Sequence, residues 1–266
     1  MFHRYYYPDD VDVSVPYVAP LNFGPEDPRM EPFLENVGTA ECRDRIFRFQ
    51  KLVLEKYDTL FPMFIDMADK RGWTFTRVGG PETAYEMTVL EYEFAFWQWG
   101  RISCDSIPLE GNNEQVFRHL TAVGDPRYFA DQGLAYFEPF FYQAMTEIGY
   151  YGYDFDKFGD LMKHAHNAEK PEFQFSAPLG PEYVYDYEFG KKVSEFIKHD
   201  AENFIFLYGE NDPWSASAAD PGENKKCLKI VNKGGAHGTR IGILPDEQKD
   251  LIMTKLQEWM DVPADL

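Results

Sequence analysis

Asn203-Phe204-Ile205-Phe206-Leu207-Tyr208-Gly209-Glu210-Asn211-Asp212-Pro213-Trp214 reads as a short strand that breaks into a turn carrying an acid. Its unbroken apolar run is what a parallel strand covered on both faces requires. Cys227-Leu228-Lys229-Ile230-Val231 reads as its neighbour, and Gly234-Gly235-Ala236-His237-Gly238 follows it with a glycine-flanked histidine. Strand, acid turn, strand, histidine loop is the chain order in which α/β enzymes with a Ser…Asp…His triad deliver its last two members. No Gly-x-Ser-x-Gly occurs in the 266 residues.

Working outward, Pro245 to Met260 reads as an amphipathic closing helix with Pro at its first turn and Leu251, Ile252, Lys255, Leu256 and Trp259 as an inner stripe. Upstream, Tyr183 to His199 reads as a helix with lysines near its end, where they suit the dipole. Met1 to Tyr7 reads as the tail of a helix stopped by Pro8-Asp9-Asp10, and Val11-Asp12-Val13-Ser14-Val15 alternates like a strand. A helix entering a strand so abruptly looks like the middle of a βαβ unit whose first strand is absent. Pro16 to Pro32 is a Pro- and Gly-rich loop. Ile46 to Leu60, Phe61 to Ala68 beyond Pro62, Thr88 to Gly100, Phe129 to Glu147 and Phe155 to Ala168 then supply helical candidates. The expected fold is α/β, with about three parallel strands and a large helical insertion. Residues 1–30 and 200–266 would form a partial core and 31–199 a cap.

A hydrophobic content of 44%, with 17% aromatic residues, is ample for a folded core, and the rings cluster mid-chain as the wall of an apolar pocket would. The net charge of −19, from 45 acidic and 26 basic residues, repels phosphate backbones and anionic lipid surfaces. Nucleic acid and membrane are therefore not expected partners; the acidic surface could favour cationic ligands such as peptide α-amines, or simply keep the protein well solvated. Cys42, Cys104 and Cys227 are odd in number and lack CxxC spacing, so neither a zinc ribbon nor a disulfide framework is expected. Met1 to Asp9 has no apolar segment of a signal peptide, which leaves the compartment open.

Asp212 precedes Pro213, which holds its backbone extended, and a rigid mount suits a carboxylate that must fix one imidazole tautomer. An Asx-turn, capping local backbone, is the alternative. His237 lies in a loop free of bulky side chains, from which an imidazole can act as general base, the alternative being an ordinary surface histidine; the order strand-acid, strand-histidine, helix favours the first. His164-x-His166 offers two metal ligands without a third, so no metal site is expected. Glu91 and Glu93, with Trp97 beside them and Trp214 after the acid turn, could present carboxylates in an aromatic wall to a peptide's amine. Burial of a carboxylate within an ordinary helical core is the competing account. Ser14, Ser103, Ser106, Ser176, Ser194, Ser215, Ser217, Cys104 and Cys227 all lack the strand-turn-helix setting of an activated nucleophile.

Arg4-Tyr-Tyr-Tyr-Pro-Asp-Asp-Val-Asp-Val-Ser-Val-Pro-Tyr-Val-Ala-Pro-Leu-Asn-Phe23, Tyr-Gly-Glu-Asn-Asp-Pro-Trp-Ser-Ala at 208–216 and Gly-Gly-Ala-His-Gly-Thr-Arg at 234–240 together resemble the prolyl tripeptidyl/tetrapeptidyl aminopeptidases. That resemblance implies a serine peptidase of the α/β-hydrolase fold with a helical cap, needing no cofactor and commonly exported. Its substrates would be peptides with free amino termini, from which it releases short peptides ending in proline. Asp212 matches the triad acid and His237 the base. The serine and the oxyanion donors would fall ahead of the helix that runs into Tyr7-Pro8-Asp9-Asp10, in an amino-terminal portion outside these residues. The expectation is a carboxy-terminal peptidase portion, inactive alone. The alternatives are a non-catalytic peptide-binding module and one chain of a split enzyme.

Overall fold

The computed structural model describes residues 1–166, 170–180 and 182–260. It is mostly helical around a small parallel sheet. The sheet has two strands, β1 (Phe204–Gly209) and β2 (Cys227–Asn232), in register from Phe204 opposite Cys227 to Gly209 opposite Asn232. All six β1 residues are buried, as its apolar run demands, while β2 is an edge with Val231 44% exposed. The expected third strand does not form. Ser14 and Tyr17 instead make isolated parallel bridges to Phe204 and Leu207 on the other side of β1. Pro16 sits between them without an N–H to donate, and Val18 leaves the extended region at φ 45°.

Two small apolar clusters cover the faces of β1. On one, Leu21 and the stripe Phe189, Val193 and Ile197 of α8 (Tyr187–His199) meet Phe204, Phe206 and Tyr208. Asp186 caps α8 by accepting the N–H groups of Glu188 and Phe189, so the helix begins four residues later than the sequence pattern suggests. On the other, α9 (Asp246–Met260) packs Ile252, Leu256 and Trp259 against Ile205, Leu207 and Ile230, while Leu251 faces solvent. At the sheet's N-terminal end Arg4, in the five-residue helix α1 (Phe2–Tyr6), donates to the carbonyls of Val11 and Glu202 and lies over the Phe204 ring.

A larger core runs from Met30 to Ala177 and takes in Trp214. After the short α2 (Met30–Leu34), α3 (Ala40–Glu55) and α4 (Tyr57–Arg71) break at Lys56, and Pro62 lies inside α4 rather than at the break. Both pack on α5 (Pro81–Trp99), through Phe49 on Tyr92 and Phe64 on Tyr85. Because α5 is apolar on every side it can only be central, and nearly every residue from Ala84 to Trp97 is buried. Pro81 at its start and left-handed Gly100 at its end fix its length. The helix α6 (Asn113–Val123) starts in a capping box between Asn112 and Gln115, and α7 (Asp131–Gln143) continues through one wide turn to Ile148.

Two expectations fail in this region. Phe155–Leu161 is a tight helical turn kinked at Gly159, and the segment after it is not helical as far as it is described; Ala168 lies outside the described residues. The buried Glu86 carboxylate accepts the backbone N–H groups of Lys163, His164 and Ala165, taking the donors that a continuing helix would use. Cys42 and Cys104 form a disulfide, their Cα atoms 5.4 Å apart, where no such bond was expected. A single cross-link between helix α3 and a loop 62 residues away has no spacing signature, unlike a dense framework. No described helix is long and apolar enough to cross a membrane.

Candidate active site

β1 and β2 run parallel, so the loops leaving their ends emerge side by side. Asp212 caps a tight turn, Pro213–Ser217, by accepting the Trp214 N–H at 3.3 Å. Ser215 holds the same turn through its hydroxyl, which donates to the Gly209 carbonyl. The Asx-turn therefore exists, and it does not compete with a chemical role. Asp212 Oδ1 serves the turn, while Oδ2 lies 2.8 Å from His237 Nδ1. The carboxylate is fully buried and the imidazole only partly, so the ring offers Nε2 outward; among the described residues nothing bonds to it.

Burial raises the Asp212 pKa, opposed by the hydrogen bond and charge of His237. A buried acid bonded to Nδ1 selects the tautomer with Nε2 unprotonated, which is the form a general base needs. Such a pair can take a proton from a hydroxyl or water presented at Nε2 and return it to a leaving amine.

Gly209 makes the approach of the two loops feasible. A Cβ there would lie 2.5 Å from the Ala236 carbonyl oxygen and 2.6 Å from that of Gly235. Sequence reasoning passed over this glycine because only the partner loop's position reveals the need for it. From the other side, the Gln98 carbonyl accepts the His237 backbone N–H at 2.8 Å, and the Trp99 ring meets the imidazole edge-on at 5.8 Å. The last turn of α5 therefore buttresses the histidine.

A cavity of about 700 Å³ opens beside that turn, walled by Glu91, Gln98, Trp99, Tyr150, Tyr151 and Phe141 among others. Glu91 is buried, and the Tyr151 and Tyr153 hydroxyls donate to its Oε2 at 2.7 and 2.6 Å. Burial nevertheless lifts its pKa to about 7, against the two hydrogen bonds that lower it. A carboxylate so short of countercharge favours a cationic ligand.

The remaining candidates divide. Trp214 is buried edge-on against Phe94 and Tyr151, linking the acid turn to the aromatic wall. Glu93 faces a second cavity, of about 510 Å³, where it pairs with Lys157. Trp97 packs over Gly38, at which a Cβ would come within 2.2 Å of its ring, and it lines neither cavity. His164 stacks on Tyr57, and among the described residues no group of three metal-ligating side chains forms.

The family model for PS-10 peptidase S37 matches residues 1–265, and the chain belongs to this peptidase family. A prolyl tri/tetrapeptidyl aminopeptidase of Streptomyces mobaraensis is 27% identical over 98% of the chain. The match covers 55% of that relative, so the chain spans about half the length of the protein it resembles.

Proposed function

We propose that these residues carry the acid, base and substrate-binding wall of a serine aminopeptidase that releases proline-containing tri- and tetrapeptides from free amino termini. The observation that carries the reading is the Asp212–His237 pair, with Nε2 unpartnered among the described residues and the imidazole in contact with Trp99, a wall residue of the cavity that contains Glu91. Residues 1–30 and 200–266 would be the catalytic α/β-hydrolase part, and 31–199 the cap that walls the substrate.

In this reading His237 accepts the nucleophile's proton at Nε2 while Asp212 holds the imidazole and stabilises its charged form. Glu91 receives the peptide's ammonium, with Tyr151 and Tyr153 orienting the carboxylate. Helix α5 then acts as a ruler. It rises about 12 Å from Glu91 to Trp99, the span of three to four residues of extended peptide at roughly 3.3–3.6 Å each. A proline before the cleaved bond would rest against Trp99 beside the histidine, in keeping with the relative's name.

None of the serines stands in a nucleophile setting, and among the described residues none bonds to His237 Nε2. The nucleophile is accordingly assigned to a polypeptide outside these 266 residues, whether joined to them or separate. The test is hydrolysis of Ala-Ala-Pro p-nitroanilide. The comparison is between this chain alone and this chain mixed with the portion of the Streptomyces relative that it does not match. Turnover is expected only in the mixture, and only when His237 is intact. Hydrolysis by the chain alone, or undiminished hydrolysis by a mixture carrying His237→Ala, overturns the reading.

A further inference from the structure

We propose that the cavity walled by Glu91 and Trp99 holds free tri- and tetrapeptides by both ends, with Arg101 taking the terminal carboxylate. This rests on the reading of Glu91 as the amine site. Arg101 lines the cavity with its guanidinium over the Trp99 indole, Cζ lying 5.1 Å from the ring centre. Among the described residues no carboxylate or carbonyl bonds to it. Arg4, Arg29, Arg43, Arg45 and Arg77 all donate to carbonyls or carboxylates, whereas Arg71, over the Trp73 ring, shares the stacking of Arg101 but lies at a different cavity, away from Glu91 and His237. Arg127, which shares the cavity wall, pairs with Asp125. In a chain with 45 acidic residues, a guanidinium without a partner at a cavity is an available anion site.

The backbone explains the placement. Gly100 is left-handed at φ +57°, which turns the chain back at the end of α5, and a Cβ there would lie 2.8 Å from that of Ala236. The same residue thus sets Arg101 against Trp99 and admits the histidine loop. One indole carries the guanidinium and meets the His237 imidazole, at the opposite end of α5's cavity face from Glu91.

The chemistry favours a product over a substrate. Before cleavage the carbon near His237 belongs to a neutral amide; after hydrolysis it carries a carboxylate, which a planar guanidinium binds through two parallel hydrogen bonds. Stacking on the indole reduces the freedom that the arginine would lose on binding. Arg101 therefore retains released tri- and tetrapeptides, and the free peptide acts as a competitive ligand.

Calorimetric titration of the chain with Ala-Ala-Pro, its carboxy-terminal amide and its N-acetyl form tests this. Amidation is expected to weaken binding roughly tenfold, the scale of one charge-assisted pair. Arg101→Gln should bring the free peptide down to the amide's affinity and leave the amide unaffected, with Arg101→Lys recovering part of the loss. Equal affinity of acid and amide, equal weakening of both by Arg101→Gln, or no binding of the free tripeptide overturns the proposal. The N-acetyl form reads Glu91 separately. Affinity that survives acetylation but falls on amidation would remove the amine assignment and leave Arg101 standing.

Discussion

At the scale of single residues, Asp212 and His237 divide their work through distinct atoms. One carboxylate oxygen holds the turn and the other holds the ring, so Asp212→Asn should leave the turn formed and deprive the imidazole of its orienting acceptor. In the complemented enzyme this is expected to cost on the order of 10⁴ in kcat with little change in KM, measured by steady-state kinetics. Glu91 gives a second prediction, with its sign set by burial. Its pKa of about 7 in the folded chain stands above the ordinary value of 4.5, so between these pH values the native state binds the extra proton. Stability is therefore fully present below about pH 4.5 and falls as pH rises through 7, by about 3 kcal/mol. Urea unfolding at pH 5 and pH 8 should show this difference in the chain and a smaller one in Glu91→Gln, whose amide oxygen can still accept from a tyrosine. Both acids stood out in the sequence as candidates, Asp212 from its strand-turn setting and Glu91 from its aromatic surroundings. Gly209, Gln98 and Arg101 were not, because their roles depend on where a distant loop comes to rest.

At the scale of elements, periodicity was informative where one helix face meets a core and misleading where buried polar groups decide. Helices α3, α5, α7, α8 and α9 all have recognisable stripes or apolar runs. The segment after Phe155 has apolar spacing too, yet Glu86 captures its backbone donors and a helix loses. The single missing donor of Pro16 likewise separates bridges from a strand, a difference that an alternating pattern does not display. The Cys42–Cys104 bond ties the first turn of α3 to the loop that follows Arg101. Its 62-residue separation implies about 4 kcal/mol from restriction of the unfolded chain, and denaturant unfolding with and without reductant should show a loss of that order. Gly209→Ala is predicted to act on the loops that β1 and β2 deliver, by pushing Gly235 and Ala236 away from the strand end. Complemented activity should drop at least tenfold with a near-native circular dichroism spectrum, the sign of a displaced histidine rather than an unfolded chain.

At the scale of the whole molecule, the apolar interior is divided. A large cluster spans Met30 to Ala177, and two small clusters hold the sheet. Trp214 anchors the acid turn, which leaves the end of β1, in the large cluster, two residues after Asp212. Trp214→Ala should therefore weaken the junction as well as the site, costing about 3–5 kcal/mol in thermal or denaturant unfolding, as the loss of a buried ring does. The long helical stretch and the two paired strands after it were visible in the sequence, whereas the reduction of the expected first strand to isolated bridges was not, since pairing partners are set by three-dimensional register. One contact across the divide has a mechanical meaning. The backbone N–H of His237 is held by the Gln98 carbonyl, on the helix that also carries Glu91. Because that helix is buried along most of its length in the large cluster, the resting place of the histidine loop is set by the helical interior as much as by the two-stranded sheet that delivers it.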